Sequence, residues 1–297
     1  MIRERLLSFG LPTYQVDALC LMDGKKPFAG ARVLEIGGHD LPAEVKFEVL
    51  GARSWFCVDL VDHGTFRFID KSEDGKIQYK VAVDGGYQTY DPLHTADEIG
   101  TVALDAVRPD ILGKRSGFLV GNAADIPEWF AEQFDAVISI AAFEHLSMFA
   151  LIIKKLHDAL DKNGNLQAYF GPIWSSYCGH HAWISEDLNF NDLGPIGWWD
   201  HLLLSQPELY EKLRDADVEA EIASFVVDAI YCSPTINKLF FEDYEKYMEL
   251  SPFSGFSLES YGNRRIPPEI AGRLAAMYPR YRRFDAYGIV LNAWKTP

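Results

Sequence analysis

VLEIGGHD, residues 33–40, is the stretch on which the reading of this chain turns. Val33, Leu34 and Ile36 form a short apolar run that is stopped by two adjacent glycines, with an acid, Glu35, set among them. Such a run reads as a buried parallel strand entering a tight turn. Glycines at a strand end let another group approach the backbone closely, and Glu35 puts negative charge beside that approach. A dinucleotide fingerprint needs G-x-G-x-x-G. From Gly37 the later positions are His39 and Pro42, and from Gly38 they are Asp40 and Ala43, so neither frame fits. The phosphate-cradling GxxxxGK[ST] is absent as well. Glu35 would repel a pyrophosphate but attract a cation.

Working outward, residues 41–50 suit a helix, with Pro42 in its first turn, and SWFCVDL is a second buried strand ending at Asp59. An opening helix is expected over residues 12–23. From residue 62 to 116 the alternation breaks, with a hairpin expected at Asp74-Gly75, and we read this segment as an insertion. Strands resume at GFLV and FDAVISI, a helix follows over 147–160, and GNLQAYF starts a further strand after Asn163-Gly164. Residues 183–245 are rich in aromatics and read as a helical cap, followed by a crossover helix. A strand at FSGFSLESYG, a helix from Pro268 to about Met277, and a strand at YGIVLNAW close the chain. The expectation is a single domain over 1–297: an α/β doubly wound, mostly parallel seven-stranded sheet, with ligands bound beyond the carboxyl ends of its strands.

Composition narrows the function. The chain has 297 residues, 48% hydrophobic and 24% charged, with a formal net charge of −15. That field repels phosphate backbones and anionic membranes, so neither nucleic acid nor membrane is expected as a partner. Cys20, Cys57, Cys178 and Cys232 show no CxxC spacing and read as free, buried or semi-buried thiols in a reducing compartment. With no signal-peptide core and no span of membrane length, a cytoplasmic protein is expected.

The order of residues resembles the class I S-adenosylmethionine-dependent methyltransferases. Their first motif, an acid followed by x-G-x-G, appears as EIGGH, with His39 in place of the last glycine and Gly38 one place early. The resemblance implies that Glu35 helps hold the methionyl ammonium, while Gly37, Gly38 and His39 let the cofactor approach. Asp59, with Leu60 beside it, stands where the family binds both ribose hydroxyls, a bidentate fit that suits a carboxylate. GNAADIP resembles the adenine loop: Asn122 would accept from the exocyclic amine and Ala123 would offer its N–H, with Asp125 as a turn residue. Ile140, at the end of FDAVISI, is a further expected cofactor contact. The implied cofactor is S-adenosylmethionine.

Methyl transfer from a sulfonium requires collinear nucleophile, carbon and sulfur, with a base if the nucleophile carries a proton. The loops after the fourth and fifth strands offer His145, His180 and His181 as candidate bases and Glu144, Trp174 and Tyr177 as substrate contacts. His63, His94, His157 and His201 read as surface or hydrogen-bonded residues. Trp198, Trp199, Trp183 and Phe190 could line a pocket or belong to the core. No zinc-type ligand spacing occurs, so a metal stays unassigned. The leading expectation is O-methylation of a small molecule, with a saccharide as the favoured acceptor. The alternatives are N- or C-methylation of a small metabolite, or a scaffold that keeps the fold without activity. Both covering the site and forming a homodimer stay open for the 62–116 insertion.

Overall fold

The apolar run around Glu35 does form a central strand, β1 (Arg32–Ile36), which pairs in parallel with β2 (Ser54–Asp59) and with β8 (Phe134–Ile140). The computed structural model describes residues 2–38, 41–59, 69–71, 77–83, 86–90, 101–182, 194–232, 234 and 236–296. Along the chain β2 is followed by β3 (Ile69–Lys71), β4 (Ile77–Val83), β5 (Gly86–Tyr90), β6 (Thr101–Ala103) and β7 (Ser116–Val120); after β8 come β9 (Leu160–Phe170), β10 (Gly255–Tyr261) and β11 (Gly288–Trp294). The main sheet has the order β10-β11-β9-β8-β1-β2-β7-β6. Strands β1, β2, β6, β7, β8 and β9 run parallel, and β11 is antiparallel to both β9 and β10. Taking the seven long strands in chain order, the arrangement is 3-2-1-4-5-7-6, a doubly wound sheet whose order reverses between its first and fourth members.

Each face of the sheet is covered by helices, as alternation of side chains along the strands demands. Val33, Trp55, Ala136 and Ile138 pack against α1 (Ile2–Ser8) and α2 (Thr13–Lys25) through Leu6, Val16, Leu19 and Met22. Leu34, Phe56, Val137 and Leu166 face α3 (Phe149–Ala159), whose Ile152, Ile153 and Leu156 lie on one stripe. A separate apolar cluster joins α4 (Asp200–Leu203), α5 (Gln206–Asp215), α6 (Ala220–Tyr231) and α8 (Pro268–Met277), with Trp199, Leu213, Ile230, Leu274 and Phe284 at its centre. The crossover helix α7 (Phe241–Glu249) returns to the α3 layer through Tyr244 and Met248.

Four local expectations need correction. The helix expected over 41–50 is present but short, an α-helical start at residues 43–44 running into the π-helical turn Val45–Val49, with Pro42 before it and Gly51 (φ +71°) after it. The opening helix runs on through Gly24 to Lys25 and has α1 ahead of it. An eighth strand, β6, lies beside β7 within the stretch read as loop; three residues are too few to show a period. Finally, β9 starts at Leu160 rather than after Gly164, with Asn163 (φ +65°) in a bulge where the register against β8 slips. Where an insertion is expected, the described residues include an antiparallel β3-β4-β5 sheet separate from the main one; the turn at Asp74-Gly75 lies outside the described residues. Among the described residues no helix is long and apolar enough to cross a membrane. All four cysteines are free, with Cys57 and Cys178 buried, Cys20 partly so and Cys232 exposed.

Candidate active site

The tips of β1 and β2 put two carboxylates on one face of the sheet. Glu35 is opposite Cys57 in the parallel register, and Asp59 lies two residues further along the same strand as Cys57. Burial pushes the Cys57 thiol well up, and the charges of Glu35 and Asp59 add to it, while Lys46 from the π turn opposes them. Asp59 is half-buried at the strand end. Glu35 is different: only 2% of it is exposed, and the Trp55 indole N–H donates to its Oε2 at 2.7 Å.

That placement explains the two glycines from within the protein. Gly37 turns the chain with φ +68°, and a Cβ there would overlap the side chain of Ala142. A Cβ on Gly38 would overlap the Glu35 carboxyl group itself. The close neighbours that the sequence demanded are therefore Ala142 and the carboxylate beneath the bend. Glu35, which the resemblance has helping to hold the methionyl ammonium, lies beneath the bend and braces it. The Ser139 hydroxyl adds a tie, donating to the Ile36 carbonyl at 2.8 Å from β8.

Asn122 caps a short 3₁₀ turn over Ala123–Asp125, its Oδ1 accepting from the Ala124 N–H at 2.9 Å. The side chain that would meet an adenine amine is thus half committed to its own loop. Ala123 is buried and Asp125 is an exposed turn residue. Ile140 is buried at the end of β8, and the next residue, Ala141, takes φ +53°. Non-glycine residues held there are uncommon and gather at functional sites. His39 and Leu60 lie outside the described residues.

Beyond Ala141 the second half of the site assembles from distant segments. A 3₁₀ turn, Phe143–His145, follows β8. Glu144 is buried and accepts from the Gly171 N–H at 3.1 Å through Oε1. Burial pushes the phenols of Tyr244, Tyr261 and Tyr287 upward, and the Glu144 carboxylate adds to each, which places it among all three. Asn237 holds the turn from the cap side: its N–H donates to the Glu144 carbonyl at 2.9 Å and its amide to the Phe143 carbonyl at 2.8 Å, while its Oδ1 accepts from Tyr244 at 2.9 Å. Tyr169 and Tyr261 stack at 4.2 Å, and Tyr261–Tyr287 and Tyr287–Tyr177 follow at 5.7 and 5.9 Å, making a row of phenols along the ends of β9, β10 and β11.

The three candidate histidines separate. His145 and His181 come together, their rings 5.2 Å apart edge to face, though they stand 36 positions apart in the chain. His181 takes φ +49° and its Nε2 lies 2.6 Å from the Pro172 carbonyl, which can only accept, so Nε2 carries the proton. His180 instead points into the cap: it is buried, its Nδ1 accepts from the Ala182 N–H at 3.1 Å, and its neighbour is His201 at 5.5 Å. Burial holds the His180 pKa well below its ordinary value, so this ring is a neutral part of the cap interior rather than a base at the sheet edge. His201, read from sequence as a surface or hydrogen-bonded residue, is buried: Nε2 donates to the Trp174 carbonyl at 2.8 Å, and Nδ1 has no partner among the described residues.

Trp174 packs in the cap cluster, whereas Tyr177 is half-buried at the edge of the tyrosine row. Trp199 is core, its indole donating to the Phe284 carbonyl, and Trp198 is 44% exposed beside Tyr177. Trp183, Phe190, His63 and His94 lie outside the described residues. Among the described residues no group of histidine, cysteine and acidic side chains is arranged to hold a metal. Asn237, Tyr261, Tyr287 and Lys46 escaped the sequence reading, since none sits in a motif.

The family described as "Methyltransferase domain" matches residues 94–168, which run from ahead of β6 into β9 and include the Asn122 loop and the His145 turn; the tips of β1 and β2 precede the match. Over that segment the chain is similar to methyltransferase domains, and its strand order is that of a doubly wound α/β sheet. No curated protein matches the chain. Solved structures similar to it include an S-adenosylmethionine-dependent methyltransferase from Mesorhizobium loti (14% identity, 95% of this chain and 98% of that one, TM-score 0.46). Another from Archaeoglobus fulgidus shares 13% identity over 95% of each chain, with a TM-score of 0.42. Phosphoethanolamine N-methyltransferase 2 from Haemonchus contortus, in complex with phosphomonomethylethanolamine and S-adenosylhomocysteine, shares 13% identity over 95% of this chain and 53% of that one, with a TM-score of 0.43.

Proposed function

We propose that this protein methylates a hydroxyl group of a small acceptor, a saccharide being the favoured class, with the His145–His181 pair receiving the proton. The observation that carries the proposal is the meeting of those two rings beyond the tips of β8 and β9, on the same edge as the acid-tipped β1 and β2. When bound, S-adenosylmethionine supplies a methyl group on a positively charged sulfur. The residues present suit it: Asp59 would hold the ribose hydroxyls, the Asn122–Ala123 turn the base, and the bend at Gly37-Gly38 the amino-acid end, with Glu35 acting through that bend.

With Nε2 protonated toward Pro172, the basic nitrogen of neutral His181 is Nδ1. The His145 turn is fixed by Asn237 and Glu144, so the pair is held rather than floating. Such positioning matters because displacement at carbon depends on alignment. The aromatic faces of Tyr177 and Trp198 beside polar groups support a sugar-like acceptor. We read residues 1–297 as one methyltransferase domain, with 62–116 inserted in it and 183–245 capping the carboxyl edge. The free thiols support a reducing, cytoplasmic setting.

The test is turnover in a panel of hydroxylated acceptors, followed by formation of S-adenosylhomocysteine, alongside calorimetric binding of that product. His145→Ala and His181→Ala are expected to lower turnover at least 50-fold and leave product affinity within threefold. Wild-type turnover in both variants removes the pair from the reaction, and absence of any heat with cofactor or product removes the methyltransferase reading.

A further inference from the structure

The cap holds a pair of imidazoles for which the reaction proposed above has no use. His180 and His201 face each other with ring centres 5.5 Å apart, one from the loop after β9 and the other from α4. Each is only 2% exposed. Their bonds to the backbone fix both tautomers, and fix them in opposite senses. His201 Nε2 lies 2.8 Å from the Trp174 carbonyl, which can only accept, so the proton sits on Nε2 and Nδ1 is a lone pair. In His180 it is Nδ1 that accepts, from the Ala182 N–H at 3.1 Å, so the proton sits on Nε2. The pair thus offers one acceptor, His201 Nδ1, and one donor, His180 Nε2–H.

His201 Nδ1 is buried with no partner among the described residues. Such an acceptor costs free energy unless a donor meets it, and its retention calls for an explanation. Burial keeps both rings neutral near pH 7, so the pair suits an uncharged polar group. Charge on His181 disfavours charge on either ring, which sets the pair beside the meeting point of His145 and His181. A hydroxyl gives one hydrogen bond and takes another through a single oxygen, and so satisfies both nitrogens at once.

From this arrangement we infer that the methyl acceptor carries a second hydroxyl, one that is not methylated, and that His180 and His201 bind it. His180 Nε2–H donates to the hydroxyl oxygen, and the hydroxyl donates to His201 Nδ1. The left-handed backbone at His181 (φ +49°) then divides two adjacent histidines between two tasks, His181 at the reacting end and His180 at the recognition end. The inference rests on the methyltransferase reading above for the reacting hydroxyl, while the second hydroxyl site does not.

The experiment titrates the full chain, loaded with S-adenosylhomocysteine, with the methyl glycosides of glucose, galactose and mannose and with the monodeoxy forms of each. At least one parent sugar is expected to bind, and loss of one particular hydroxyl to weaken it tenfold or more. His201→Gln keeps a donor for the Trp174 carbonyl and loses the acceptor; His180→Asn keeps an acceptor for the Ala182 N–H and loses the donor. Each should shrink that penalty to threefold or less and keep product affinity within twofold. A trapped water in place of the hydroxyl has each variant weaken parent and deoxy sugar alike, leaving the penalty intact. A penalty that survives in either variant, or no binding by any sugar, overturns the inference. Failure of S-adenosylhomocysteine to bind overturns the methyltransferase reading instead, and the same titrations on the free protein then decide the hydroxyl site alone.

Discussion

The two halves of the carboxyl edge are built in opposite ways. At β1 and β2 the chemistry lies within one β-α-β unit, residues 35–59: an acid, two glycines and a second acid, all placed by the strands that carry them. At β8 and β9 it is gathered from residues 141–145, 169–181, 198–201, 237, 261 and 287, which only the complete fold brings together. The first half is braced from within by Glu35 and, from β8 and its exit, by Ser139 and Ala142; the second is braced by the cap. The difference teaches that damage should act locally on the first and through cap stability on the second.

The largest effect expected is that of Gly37→Ala. The added methyl overlaps Ala142 and the backbone angle of +68° disfavours any side chain, so both costs fall on one residue. A loss of about 4 kcal/mol follows from strain and overpacking together, and product binding should disappear with it. Urea unfolding and calorimetry measure the two. A variant with normal stability and affinity would mean that the bend is not packed as described, and the contrast between the halves would fail at its firmest point.

Acid should strike the other half. Burial lowers the His201 pKa to about 4 from its ordinary 6.5; the backbone carbonyl of Trp174 and the Asp200 charge work to raise it, and His181 works with burial. His180, the other ring facing it, is lowered in the same direction. Because the folded pKa lies below the unfolded one, the unfolded chain binds more protons between those values. Stability is therefore complete above pH 6.5 and falls as the pH drops toward 4, by on the order of 3 kcal/mol for His201. Melting temperatures across that range should drop in the wild type and flatten in His201→Gln, which can still donate to the Trp174 carbonyl. An unchanged slope in the variant would show that the acid response does not arise at His201.

The same contrast sets what could be read before the fold was known. The alternation of apolar runs and glycine turns fixed the doubly wound sheet, because a strand buried on both faces leaves its mark within five or six residues. Glu35, Asp59 and the Asn122 loop were found as spacings. What they touch was not: the sequence suggested a ligand over Gly37 and Gly38, and the close neighbours are Ala142 and Glu35. The adjacent His180 and His181 looked like one unit, but the left-handed turn at His181 sends one ring toward His145 and leaves the other in the cap. Asn237 carries no motif, because its role lies in contacts across more than 80 residues of chain. The strand β6 was missed for a simpler reason, being shorter than any period.

The smallest effect tests how Glu35 serves the cofactor half. Its Oε2 accepts from the Trp55 indole, so Trp55→Phe keeps the ring and removes one donor to a buried carboxylate. A hydrogen bond to a charged group is worth about 2 kcal/mol, which unfolding in urea should show. Product affinity should fall only threefold to tenfold, because the bend loses one brace and keeps the Ser139 tie to Ile36. If Glu35 instead gripped the ligand directly, freeing it from Trp55 would leave affinity unchanged or raise it, while stability still fell. The sign of the change in affinity therefore separates an acid that shapes the bend from one that reaches over it.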